Sequence, residues 1–121
     1  MMKNKLNGIQ NYMKNNGIYE VQMLDKFEDN SIKFIEGIDL STAYSFEITF
    51  KKVAYIHCLM SLYEPEFRLA TEEEDNEIRK NYGAYPGKTV FIFDVDKDTE
   101  YYNKYFVIAE DLDYKTELVF R

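Results

Sequence analysis

Asp94, Asp96, Asp98 and Glu100 occupy every second position of one short segment, and alternate carboxylates in a loop are the donor set that a hard cation such as calcium takes. A twelve-residue calcium loop beginning at Asp94 needs glycine at its sixth position and glutamate at its twelfth; the chain places Thr99 and Tyr105 there. The segment therefore reads as a solvated acidic turn between two strands, and no metal site is assigned. His57 and Cys58 are the only histidine and the only cysteine. Neighbours in a strand point to opposite faces, so these two cannot pair as base and nucleophile. One histidine and one thiol cannot build a metal cluster or an internal disulfide either. No pair of titratable groups is spaced for acid and base work, which points to a chain without enzymatic activity and without a cofactor.

Phe91, Ile92, Phe93, Asp94, Val95 and Asp96 resemble the first motif of haloacid-dehalogenase-type phosphatases, and that resemblance implies a nucleophile at Asp94 and an acid and base at Asp96. It covers six residues. Asp98 stands where the family has threonine or valine, and the later lysine and acidic motifs that hold magnesium and phosphate are not found. Residues 83–89 resemble a phosphate-binding loop, but three residues separate Gly83 from Gly87 where the pattern needs four. The segment also precedes a strand, whereas a phosphate loop follows one and opens a helix. A turn built on Pro86 and Gly87 accounts for it.

Charge carries more information than motifs. Residues 1–60 hold 7 Lys and Arg against 7 Asp and Glu, while residues 61–121 hold 8 against 15, so the whole formal charge of −7 sits in the second half. The chain also carries 11 Tyr and 9 Phe. A negative field confined to one half suits a basic partner, and tyrosine joins rigid area to a polar tip at small entropic cost. The residues expected to meet that partner are Glu72, Glu73, Glu74, Asp75, Asp94, Asp96, Asp98, Glu100, Tyr101 and Tyr102. The chain itself is not expected to grip nucleic acid, because Lys51-Lys52 and Arg79-Lys80 are its only adjacent basic pairs and phosphate binding needs clustered cations.

These residues need elements to position them. Met2, Leu6, Ile9 and Met13 recur at helical spacing, and Asn15, Asn16 and Gly17 supply a stop. Residues 18–27 and 32–36 read as strands around a turn at Asp29, Asn30 and Ser31, with Gly37 and residues 39–42 as the next connection. Tyr44, Phe46, Ile48 and Phe50 alternate strictly with polar residues, which makes a strand with one wet face. At Lys51-Lys52 the pattern breaks and resumes over residues 53–60, by a hairpin or by a bend through a bulge. After Pro65, residues 67–70 read as a short strand. Thr71 and Glu74 form a capping-box pattern opening a short acidic helix to about Tyr82, with Gly83 at its C-terminal cap. Residues 89–95 read as a central strand covered on both faces. Residues 105–109 and 114–120 read as a final hairpin around residues 110–113.

The expected architecture is α+β: one domain over residues 1–121, a curved and mostly antiparallel sheet of six to eight strands, open or partly closed into a barrel, with an N-terminal helix and a second short helix at its rim. The composition, 45% hydrophobic and 31% charged, is globular. No apolar run nears the roughly 18 residues that cross a bilayer, and the polar start of the chain favours the cytoplasm. In size, charge and β content the chain resembles the small acidic immunity proteins of bacterial toxin systems and phage-encoded inhibitors of defence complexes. That resemblance implies a non-enzymatic inhibitor that blocks a basic site on a nuclease or a nucleic-acid-binding complex. The alternative is a small-molecule-binding β-module whose curved sheet is lined by Tyr44, Phe46, Phe50 and Phe93.

Overall fold

The computed structural model describes residues 2–18, 20–23, 30–36, 43–44, 46–96, 99–100, 102–116 and 119–120. The chain opens with α1 (Met2–Asn15), followed by β1 (Glu20–Met23), β2 (Ile32–Glu36), β3 (Ala43–Tyr44), β4 (Glu47–Lys51), β5 (Tyr55–His57), β6 (Ser61–Tyr63) and β7 (Glu66–Leu69). Then come α2 (Glu72–Tyr82), β8 (Thr89–Val95), β9 (Asn103–Ala109), β10 (Asp111–Lys115) and β11 (Val119–Phe120). The fold is α+β, and every strand pairing is antiparallel. The strands divide into a five-stranded sheet, β10-β4-β2-β1-β6, a four-stranded sheet, β5-β9-β8-β7, and the separate pair β11-β3. Among the described residues the sheets do not close into a barrel.

The single curved sheet of the sequence reading becomes two sheets because the chain repeatedly changes layer. Lys51 ends β4 in the five-stranded sheet, Lys52 takes the left-handed region (φ 50°), and Tyr55 begins β5 in the four-stranded one. Residues 58–60 carry the chain back to β6, and Glu64 (φ 46°) precedes its return to β7. Bends of this kind are how strands turn corners between packed sheets. The expected terminal hairpin is not formed. Its supposed loop is the start of β10, which leaves β9 at Glu110 and pairs with β4 instead, matching Leu112 to Phe50. The reason lies in the alternation: Leu112 is fully buried, while Asp111 and Asp113 face the opposite way and meet Lys5 and Lys51. Residue 19, residues 24–29 and the connection at 37–42 lie outside the described residues.

The main core joins both sheets and α1. Rings from β2 and β4 meet rings from β7 and β8: Phe34 and Phe50 each pack on Phe93, Phe50 also on Phe91, and Phe67 on Phe93, with centroids 5.0–5.6 Å apart. α1 presents Leu6, Ile9 and Met13 to this core and lies along β7 and β10, an outer strand of each sheet. Gln10 accepts the Phe67 N–H at 2.7 Å, and Lys5 donates to the Leu112 carbonyl at 2.9 Å. Gly8 lets Tyr114 lie against the helix, since a Cβ there would collide with the phenol. Gly17 (φ 63°) ends α1, with the Ile18 N–H returning to the Met13 carbonyl at 3.0 Å. A second, smaller core of Val90, Ile92, Phe106 and Ile108 lies on the outer face of the four-stranded sheet, packed against Tyr55, Ile78 and Tyr85. No helix among the described residues is long and apolar enough to cross a membrane.

Candidate functional site: the acidic helix and the strands beneath it

α2 begins as the sequence indicates. Thr71 Oγ1 accepts from the Glu74 N–H at 3.2 Å and Glu74 Oε1 accepts from the Thr71 N–H at 2.9 Å, closing the capping box. Four acids fill the first turn at the positive end of the macrodipole, and Arg79 and Lys80 sit in the last turn. At the far end Gly83 donates to the Arg79 carbonyl at 3.1 Å. Asp75 fixes Arg79 at 2.6 Å, and Arg79 in turn donates to the carbonyls of Ala84, Tyr85 and Lys88, pinning the loop that leads to β8.

Beneath the helix lies a network centred on Arg68. Alternation in the strands puts Arg68 of β7, Asp94 of β8 and Lys104 of β9 on the outer face, and the register sets Asp94 opposite Lys104. Arg68 binds Asp94 through Nε at 2.6 Å and Nη2 at 3.3 Å, and binds Glu74 through Nη1 at 2.7 Å and Nη2 at 2.9 Å. A further Nη1 contact reaches the Leu69 carbonyl at 3.3 Å, so all five guanidinium donors are used. Tyr102 donates to Asp94 Oδ1 at 2.6 Å, and Lys104 reaches Glu74 Oε2 at 2.9 Å. Hydrogen bonds from Arg68 hold the Glu74 carboxyl well below the usual carboxylate range, and Glu74 raises both Arg68 and Lys104. The bond to Asp94 raises the Tyr102 phenol.

The residues expected to meet a partner thus take two roles. Glu74, Asp94 and Tyr102 are brought together, but inward, with both Asp94 oxygens occupied and its side chain fully buried. A carboxylate so held is not placed to act as the nucleophile that the phosphatase-like segment implies. Glu72, Glu73 and Glu100 are exposed, and Asp75 is committed to Arg79. Asp96 is half-buried in left-handed backbone (φ 55°), with its carbonyl accepting from Thr99 N and Oγ1. Asp98 and Tyr101 lie outside the described residues. No cluster of metal-ligating side chains occurs among the described residues. His57 and Cys58 part as expected: His57 is exposed and stacks on Phe106, while Cys58 packs on the main core, where burial pushes its thiol up to about 12.

The aromatic concavity expected around Phe46, Phe50 and Phe93 is instead filled core, since all three rings are completely buried; the Tyr44 side chain lies outside the described residues. A different groove, of about 240 Å³, runs between α2 and β9 and is lined by Glu74, Glu77, Tyr82, Lys104, Tyr105 and Phe106 among others. Tyr82 packs on Phe106 and Tyr55 with centroids 5.1 Å apart, which makes one wall rigid. Sequence reasoning missed Arg68, Lys104 and Glu77. The signal for Arg68 was Asp94 itself, a lone carboxylate among the apolar residues of its strand, which demands a cationic partner when buried. Comparison with known proteins finds no matching family model, no matching curated protein and no matching solved structure.

Proposed function

We propose that this chain is a non-enzymatic binding protein of inhibitor or immunity type, whose α2 face blocks a basic site on a partner such as a nuclease or a nucleic-acid-binding complex. One observation carries the reading. Folding draws four cations of this region into internal ion pairs, Arg68, Arg79, Lys88 and Lys104, and leaves Lys80 exposed at the far end of α2. Meanwhile Glu72, Glu73 and Glu77 on α2, and Glu100 beyond β8, stand exposed and face no cation at ion-pairing distance among the described residues. The negative surface left over is held on a helix whose underside is fixed, so little ordering opposes binding. The groove beside it offers Glu77 with the rings of Tyr82 and Phe106, a setting for a partner's arginine or lysine by ion pairing and cation–π contact.

The test is inhibition of a panel of basic nucleases, with affinity followed against salt. A target should bind at low ionic strength and weaken as salt rises. Replacing Glu73 and Glu77 together by lysine should weaken it by more than about tenfold while the melting temperature holds. Unchanged affinity in that double variant, or binding indifferent to salt, removes the proposal.

A further inference from the structure

The two large sheets have four outer strands, and α1 runs along two of them, β7 and β10. The other two, β5 and β6, are consecutive in the chain, and around them the surface turns apolar. Leu59 is 53% exposed, Met60 59% and Tyr63 55%, three of the five large hydrophobic side chains exposed among the described residues. Residues 53–63 contain no Asp, Glu, Lys or Arg, the longest such run in the sequence. The Met23 N–H donates to the Met60 carbonyl, and Val21 lies opposite Leu62. Alternation along an antiparallel ladder then turns the N–H and C=O of Ser61 and Tyr63 away from β1, where no further strand pairs with them among the described residues. Proteins guard such edges with charge, proline or a covering element, and among the described residues the β6 strand itself has none of these.

We propose that this edge is the docking surface for a second copy of the chain, β6 pairing antiparallel with its counterpart across a two-fold axis while Leu59 and Met60 of the two copies pack together. A two-fold contact is self-complementary, and an antiparallel strand pair satisfies that symmetry. Charge selects the occupant. Two copies at −7 each repel over their acidic surfaces and approach at least cost through the uncharged segment, whereas a basic partner is drawn to α2. Three exposed hydrophobic side chains and a three-residue strand fall short of the roughly 800 Å² per partner of a tight complex, so the association is weak and concentration-dependent.

Sedimentation of the full chain between about 10 and about 500 µM should show a monomer–dimer shift that salt leaves intact or strengthens. Met60→Glu, at an exposed position, should hold the protein monomeric with its melting temperature kept, and Leu59→Glu should do the same. Hydrogen exchange on the unmodified protein should slow at the Ser61 and Tyr63 amides as concentration rises. A monomer throughout this range, a dimer that survives Met60→Glu, or a dimer that salt dissolves overturns the proposal. None of these results bears on the α2 reading, which uses another face.

Discussion

α1 buries Leu6, Ile9 and Met13 against both sheets, whereas α2 has no fully buried residue and is fastened by its capping box, by the Arg68 network and by Arg79's hold on the loop that follows. One helix is kept mainly by area removed from water, which salt and pH barely touch, with Lys5 to Asp111 and Asp113 as its charged contacts. The other adds to the apolar contacts of Ile78 and Tyr82 a larger set of directional, charge-assisted bonds, which both conditions weaken. The helix carrying the exposed carboxylates is therefore also the one whose attachment can be loosened without dissolving the core.

The sharpest way to break this contrast is Arg68→Ala, which strands Asp94 as a buried charge and leaves Glu74 to Lys104 and the Thr71 N–H. It should cost about 3–5 kcal/mol in urea unfolding and strip exchange protection from α2. Arg68→Lys should rescue little, since an ammonium cannot span two carboxylates as a guanidinium fork does. Next, Ile9→Ala should cost about 3 kcal/mol by leaving a cavity beneath α1, with α2 protected as before until global unfolding. An equal loss of protection in both helices for either variant would erase the distinction. Acid titration comes third. Because the folded Glu74 carboxyl is depressed by Arg68, its stabilisation is complete above the unfolded value of about 4.3 and drains away as pH falls toward the folded one. Asp113, lowered by Lys51 and Lys5, acts in the same direction. Helical ellipticity should thus fall below about pH 4 before the core opens. Thr71→Ala, which removes half the capping box, should cost about 1 kcal/mol. The smallest effect concerns Cys58: with its thiol pushed up to about 12, alkylation at pH 8 should run at least about tenfold slower folded than in urea.

Local rules carried well where one element decides its own shape. The helical spacing of α1, the Thr71–Glu74 box, the Gly83 cap and the covered central strand β8 were all legible, because each rests on neighbours within a few residues. What spans the chain was not. The break at Lys51-Lys52 was legible, but nothing near it or near Glu110 says to which sheet the backbone goes next, since that decision belongs to residues such as Leu112 finding Phe50 far upstream. The acidic site divided for the same reason. Glu73 stays outward by its place on the helix, while Glu74 is drawn in by Arg68 on a strand whose register only pairing fixes. Counting carboxylates could not tell the two apart.

Because the chain crosses between the two large sheets four times from β4 to β10, neither layer is an uninterrupted stretch of polypeptide. The five-stranded sheet draws strands from β1 through β10, so any cut between β4 and β10 divides it, and the main core that joins the two sheets belongs to neither piece alone. Melting should follow one cooperative transition, and refolding should wait on distant encounters, slowly for a chain this short.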